Sequence, residues 1–283
     1  GIEKVAAADI ARVVNKYLKK EGFAILVVGK EKEFGRPLSF LGEVKKLDIA
    51  IPLEPSSRKD TGEKAKDESP QDREEGKRLA VKVAEAMGGP ARLKEVKSIR
   101  IKGMQNLKTP QGDLQLEAET IFQFPNCKYI KAKTPMGELT TVITEEVAFM
   151  SIAGKSQDFP ASRKEEMAKD NRRDSLLILQ DLEDPKVVFT VTGKEKIGDA
   201  ETVIVQVDAN GTRTRWYIDP LTGRILRSGY QGLGMSGPTD RVVDYSDWKN
   251  FQGIILQTRH AAFDNGKETG WMEILEVEFN PYI

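Results

Sequence analysis

The chain has 283 residues but only one histidine, His260, and one cysteine, Cys127. A single cysteine excludes an internal disulfide bond. A single histidine excludes zinc sites that need two or more histidine ligands. We therefore expect no catalytic residue, no metal site and no cofactor within these residues.

The chain also has no excess of charge and no long hydrophobic run. Lys plus Arg and Asp plus Glu both number 44, so the formal net charge is zero. Such a chain has no overall field to draw it onto nucleic acid. No run approaches the roughly 18 apolar residues that a membrane-spanning helix needs. We expect no nucleic-acid partner and no membrane span.

A highly charged segment divides the chain into two unequal parts. Between Glu54 and Arg78, 15 of 25 residues are charged, and Pro55, Gly62 and Pro70 interrupt them. This composition is typical of an extended tether that adds nothing to a core. We assign residues 1–52 to one domain fragment, 53–76 to a flexible linker and 77–283 to a second domain.

The first part reads as one helix followed by one strand. Ile10, Val13, Val14 and Leu18 recur at helical spacing, and residues 23–28 form an apolar run that predicts a buried strand. Such a unit needs a further sheet to cover its apolar faces.

Residues 5–10 (VAAADI), 16–18 (KYL), 24–29 (AILVVG), 34–38 (FGRPL) and 41–44 (LGEV) resemble the closing segment of insulinase or pitrilysin-type zinc peptidases. The resemblance implies a larger parent protein with upstream peptidase domains. The parent is either a zinc metallopeptidase, whose upstream domains would hold the zinc, or an inactive homologue of one. The H-x-x-E-H motif of such a site is not in this chain.

The second part is predicted to be mainly antiparallel sheet. From Ile99 onward the apolar residues alternate with a period of two, most clearly between Asp113 and Phe124. Hairpin signals recur at residues 135–137, 208–211, 219–223 and 264–266. Leucine-containing helices are expected between Ser162 and Asp181. The predicted fold class is α+β, a curled sheet or half-barrel of about eleven strands with helices on its concave side.

Residues 93–99 (LKEVKSI), 219–223 (DPLTG) and 243–248 (VDYSDW), together with the long strands and the helical insert, resemble the outer-membrane lipoprotein carrier (LolA-like) superfamily. The resemblance covers about residues 76–283. It implies a half-barrel around an apolar cavity that shelters acyl chains or another hydrophobic ligand. It also implies a place in the bacterial envelope, in the periplasm or otherwise outside the cytoplasm.

Large residues on the predicted strands either fill the core or line such a cavity, and the sequence alone leaves both alternatives open. His260 is either a core histidine or one half of an acid–base pair. The candidate ligand-binding residues are Leu116, Phe122, Phe124, Trp216, Leu233, Met235, His260 and Trp271.

Two other patterns invite a ligand but are better explained by turns. The glycines between Gly229 and Gly237 are followed by Pro238 rather than by a helix, which argues against a phosphate loop. The acidic residues at 145–146 and 181–184 lack the spacing of a calcium loop.

The sequence therefore favours a non-catalytic, extracytoplasmic appendage of a zinc-peptidase-like protein that binds a hydrophobic ligand, a lipidated partner or a peptide in its concave face. The alternatives are a structural or assembly domain of the peptidase and, least favoured, a hydrolase that uses His260.

Overall fold

The structure is a computed structural model, and it describes residues 6–17, 35–44, 69–109, 112–234 and 237–282. The chain divides into two units, Gly1–Leu53 and Glu54–Ile283.

In the first unit, the described residues form helix α1 (Ala7–Tyr17) and a 3-10 turn (Leu38–Leu41). The helix begins beside Asp9, whose carboxylate accepts a hydrogen bond from the backbone N–H of Ala6 at 3.2 Å. Ile10, Val13 and Val14 are exposed on this helix. The strand predicted at 23–28 lies outside the described residues.

The second unit is built on one sheet of thirteen strands, and each pair of neighbours is antiparallel. In chain order the strands are β1 (Ser98–Thr109), β2 (Gly112–Gln123), β3 (Cys127–Thr134), β4 (Gly137–Ile143), β5 (Ala148–Ile152), β6 (Lys155–Asp158), β7 (Val188–Ile197), β8 (Ala200–Ala209), β9 (Thr212–Ile218), β10 (Ile225–Gly234), β11 (Gly237–Phe251), β12 (Ile254–Asp264) and β13 (Lys267–Phe279). Their spatial order is β6-β5-β4-β3-β2-β1-β13-β12-β11-β10-β9-β8-β7, which leaves β6 and β7 as the two edges.

The predicted α+β half-barrel is confirmed, with two strands more than the eleven expected. Strands β5 and β6 have only five and four residues, and all four residues of β6 are exposed. Because so short an exposed strand shows no apolar alternation, the pattern of the sequence gives it little signal.

β-Bulges interrupt several of the long strands. The register shifts between Lys102 and Gly103, between Val191 and Gly193, and between Ala262 and Phe263. Each bulge bends its strand and increases the local twist, which helps the sheet to curl without closing.

The described part of the second unit also contains helices α2 (Pro70–Ala86), α3 (Pro90–Glu95), α4 (Ala161–Arg172) and α5 (Ser175–Gln180). Helix α2 begins inside the segment whose composition predicts a linker. The hydroxyl of Ser69 accepts a hydrogen bond from the N–H of Asp72 and so caps the helix, with Pro70 in its first turn. The remainder of the predicted linker, residues 53–68, lies outside the described residues.

The main core lies between these helices and the sheet. Helix α2 buries Leu79, Ala80, Val83 and Ala84. At Gly76 it approaches β7 so closely that an added Cβ would lie 2.5 Å from the carbonyl oxygen of Phe189. Only glycine allows this approach, which seats the helix directly on an edge strand.

Candidate functional site

The inner face of the curled sheet is the surface on which the helices pack, and we call it the concave face. Trp216 and Leu256 belong to the core on this face. His260 lies four residues after Leu256 on β12 and therefore points to the same side. It is paired with Tyr245 of β11 and with Met272 of β13. The concave face thus continues from the covered core toward the opposite end of the strands.

Three of the predicted ligand-binding residues lie in the covered part of this face. Phe122 and Trp216 are 3% and 1% exposed, and Phe124 is half-buried against the same core. The rings of Phe122 and Phe124 meet edge to face at 4.5 Å, and those of Trp216 and Phe189 lie 5.8 Å apart. These side chains fill the space beneath α2, α3 and α5, so in this structure they pack the core rather than line a cavity.

Helix α4 is attached to the concave face by a polar cluster that we call the helix strap: Glu166, Asp170, Arg173 and Tyr230. The guanidinium of Arg173 donates to the carboxylates of Glu166 and Asp170, both at 2.8 Å, and stacks 4.0 Å from the centre of the Tyr230 ring. The Tyr230 hydroxyl donates to Asp170 at 2.7 Å. Burial, together with this carboxylate, raises the pKa of the Tyr230 phenol.

A second pair of opposite charges lies where α5 meets the sheet. Asp174 caps α5 by accepting hydrogen bonds from the N–H groups of Leu176 and Leu177. Burial raises the pKa of Asp174, whereas the charge of Lys128 and the two N–H groups oppose that rise. Burial likewise lowers the pKa of Lys128, although Asp174 and Asp170 oppose it. Lys128 keeps part of its surface in water, and its ammonium lies 4.6 Å from the centre of the Phe122 ring.

Beyond the helices, the concave face carries apolar side chains that we call the distal surface: Leu107, Leu114, Leu116, Leu139 and Met272. Leu107 lies opposite Leu114, while Gln105 lies between Leu116 and Met272. Leu116 is buried in a small cluster with Ala118 and Ala132, against which Leu114 and Leu139 pack. Leu107 is 43% exposed, so this end of the face has apolar surface that water reaches.

His260 lies between the covered core and the distal surface. Its Nε2 is 3.2 Å from the carbonyl oxygen of Gln257, and its ring meets that of Tyr245 edge to face at 5.0 Å. The Tyr245 hydroxyl is in turn 2.8 Å from the Ser228 hydroxyl. Among the described residues, no carboxylate forms an ion pair with His260. The environment is that of a half-buried, neutral histidine rather than of an acid–base pair.

The titration of His260 is expected to make the protein less stable in mild acid. Burial lowers the pKa of the imidazole to about 4, from an ordinary value near 6.5. The unfolded chain therefore binds the proton first, so stability is lost as the pH falls from 6.5 toward 4. Linkage gives a loss of about 2 kcal/mol in unfolding free energy between pH 7 and pH 5.

Urea unfolding of the wild-type protein and of His260→Gln at pH 7, 6 and 5 measures this effect. The variant removes the titrating group, so its stability should change less over this range than that of the wild type. Equal pH dependence in the two proteins would show that His260 does not set it.

The other predicted site residues are dispersed. Trp271 is paired with Ala261, next to His260 in β12, and so lies on the opposite face of the sheet, where Arg259 approaches its ring at 5.8 Å. Leu233 is half-buried on β10, and its carbonyl accepts a hydrogen bond from Arg163 of α4 at 3.1 Å. Met235 lies outside the described residues.

Within the described ranges, no three His, Cys, Asp or Glu side chains are grouped so that they could hold a metal ion. None of the helices described is both long and apolar enough to cross a bilayer.

Sequence reasoning missed the helix strap and the Lys128–Asp174 pair. The charges between residues 162 and 181 suggest a solvated helix surface, and only Tyr230, far along the chain, completes the strap. One signal was present, because Asp174 and Ser175 stand immediately before the apolar run Leu176–Leu179, and Asp174 is a favoured helix cap.

Fold and site together define a half-barrel whose concave face is covered by helices at one end and is apolar at the other. Buried charged side chains attach helix α4 to this face. No protein-family model matches the chain, and no curated protein matches it.

Solved structures with a similar architecture include a LolA superfamily protein from Nitrosomonas europaea, with a TM-score of 0.49, 10% identity and coverage of 74% of this chain and 95% of that one. A DUF1329 family protein from Desulfovibrio piger has a TM-score of 0.48 at 10% identity, covering 74% and 93% respectively. This similarity concerns the arrangement of strands and helices and carries nothing about a ligand.

Proposed function

We propose that this protein is a non-catalytic binding module that holds an apolar chain, such as the acyl group of a lipid or of a lipidated partner, along the distal surface. The observation that carries this proposal is the continuation of the apolar concave face past the helices, as far as the exposed Leu107. An acyl chain placed there would cover side chains such as Leu107 that now meet water.

The side chains around the distal surface suit an apolar ligand that is bound without being chemically changed. Ala118 and Ala132 lie opposite each other on β2 and β3, and both are buried in the apolar cluster that supports Leu114 and Leu139. Polar contact is available from Gln105, whose amide lies 3.6 Å from the sulfur of Met272. We assign no catalytic residue and no cofactor to this module.

The wider context is part of the proposal. The resemblance of residues 1–52 to zinc peptidases supports a role as an appendage of such a protein, with the zinc held by the peptidase domains. The LolA-like resemblance supports a place outside the cytoplasm. A peptide remains the other kind of ligand that an open apolar face accommodates.

Replacing Leu107 by Asp tests the site, because it puts a charge on the exposed part of the distal surface. We expect palmitate to displace the fluorescent probe N-phenyl-1-naphthylamine from the wild-type protein. Burying a leucine side chain is worth about 1.5–3 kcal/mol, so the variant should bind the probe about tenfold more weakly or worse.

The matched control is Leu221→Asp, since Leu221 is 87% exposed in the turn between β9 and β10. This control should bind the probe as the wild type does. If the two variants lose affinity equally, or if the wild type binds neither compound, the distal surface is not a lipid site.

The second candidate is a structural or assembly domain that binds nothing small. It is favoured by the filled core beneath α2, α3 and α5. Failure of the wild-type protein to bind probe and palmitate, with the folded state intact by circular dichroism, would favour this alternative.

A further inference from the structure

A second concavity lies at the rim of the half-barrel and shares no residue with the distal surface. It has a volume of about 400 Å³. Helices α4 and α5 form one wall, and the turns after β2, β4 and β8 form the rest. The residues that line this rim cleft are Pro125, Asn126, Thr144, Glu145, Ala168, Asn171, Arg172, Leu177, Asp181 and Asn210.

Arg172 is the one cationic residue among those that line the cleft. Its Nε atom is buried and has no hydrogen-bond partner among the described residues. A buried donor without a partner costs free energy, and here that cost falls on the guanidinium that lines the cleft. Glu165 is the nearby carboxylate that could otherwise neutralise Arg172, but it forms its ion pair with Lys169, at 2.7 Å. A guanidinium of this kind favours a carboxylate, which it can bind through two parallel hydrogen bonds.

The cleft also contains two carboxylates. Glu145 is engaged by the side-chain amide of Asn126. Asp181 lies at the end of α5, and the hydrogen bonds described for it are made by its backbone. With one cation and two carboxylates, the lining disfavours a ligand with several negative charges, such as a phosphate. It favours a ligand that carries both signs.

The remaining lining is suited to a small polar molecule. The amides of Asn171 and Asn210 carry both donors and acceptors. The Thr144 hydroxyl, in contrast, already bonds within its own turn. Ala168 and Leu177 provide a limited apolar area. A volume of about 400 Å³ lies within the range of small-ligand pockets, which is roughly 300–1,000 Å³.

We propose that the rim cleft binds a zwitterion of the α-amino-acid class, free or as a short peptide, with its carboxylate on Arg172 and its ammonium on Asp181. Arg172 is the last residue of α4 and Asp181 directly follows α5, and both line the same cleft. This arrangement recognises the two ends of the ligand rather than its side chain.

The test measures binding to the full chain by isothermal titration calorimetry. The ligands are L-leucine, the dipeptide leucyl-leucine, leucinamide, which lacks the carboxylate, and N-acetyl-leucine, which lacks the ammonium. We expect leucine or the dipeptide to bind, and the two blocked compounds to bind about tenfold more weakly or worse, because each loses a charge-assisted hydrogen bond. Binding of leucine indicates a free amino acid, and binding of the dipeptide alone indicates a peptide.

Variants test the residues that hold the two ends. Arg172→Gln should weaken binding of the zwitterion at least about tenfold while leaving the weak binding of leucinamide unchanged. Asp181→Asn should act conversely and spare N-acetyl-leucine. The control is Lys164→Gln, which removes a cation from the same helix but not from the cleft, and it should bind like the wild type.

Two results would overturn the proposal. One is a folded wild-type protein that shows no heat of binding with leucine or the dipeptide at millimolar concentration. The other is an Arg172→Gln variant that binds as tightly as the wild type. Neither result depends on whether the distal surface binds lipid.

Discussion

Replacing Trp216 by Ala is expected to lower the free energy of unfolding by about 3–5 kcal/mol, because removal of a large buried side chain combines lost burial with a cavity. Trp216 is 1% exposed and packs against Phe189, which in turn lies under α2. Since α2 rests on β7 at this place, the cavity should also loosen the contact between helix and edge strand. Urea denaturation followed by far-ultraviolet circular dichroism measures the change.

Trp271 offers a matched control because it is the same residue type on the opposite face of the sheet. It is half-buried, and the nearby guanidinium of Arg259 contributes a cation–π contact worth about 0.5–1 kcal/mol. Trp271→Ala should therefore destabilise much less than Trp216→Ala. Equal losses would mean that the concave face is not the better packed side of the sheet.

The sequence predicted the elements of the half-barrel whose apolar pattern is long and regular. Strand β2 was expected at residues 113–124 and runs from Gly112 to Gln123, with Leu116 and Phe122 on one face. The helices between the two blocks of strands were also expected. Both depend on local periodicity, which a single sequence displays directly.

Features that depend on distant contacts could not be predicted in this way. Helix α2 starts in a charged segment for two reasons. Ser69 caps its first turn, and its buried side packs on β7, a strand more than a hundred residues away in the sequence. The bulge near Gly103 shifts the register of β1 against β13. Residues of β13 that are an even number of positions apart therefore point to opposite faces when the bulge lies between them. The face occupied by Trp271 therefore required the structure.

The candidate site shows the same limit. The alternation in β2 correctly predicted that Leu116 and Phe122 share one face of the sheet. It could not show that helices fill only one end of the concave face. The buried charges were missed for a related reason. A charge in a helical segment normally faces water, and only tertiary contacts show that Arg173 lies beneath Tyr230.

Replacing Arg173 by Met should destabilise the protein by about 3–5 kcal/mol, since removal of one partner from a buried ion pair leaves uncompensated charge behind. The Arg173 side chain is 8% exposed and that of Glu166 is 10% exposed, so the Glu166 carboxylate has little water to replace the guanidinium when it is lost. Asp170, at 30% exposed, is better solvated. Methionine keeps most of the aliphatic stem, which limits the loss of packing. Chemical denaturation at pH 7 measures the effect.

The control is Arg78→Met, which removes an exposed ion pair with Glu75 on α2, where the Arg78 side chain is 73% exposed. Exposed pairs contribute little to stability, so this variant should unfold almost as the wild type does. A second measurement separates a local from a global effect. If the strap holds α4 on the sheet, hydrogen exchange in Arg173→Met should rise first at the amides of residues 161–172 while those of β8 and β9 stay protected. Uniform loss of protection, or a loss of stability no larger than that of Arg78→Met, would show that the buried charges do not attach this helix to the half-barrel.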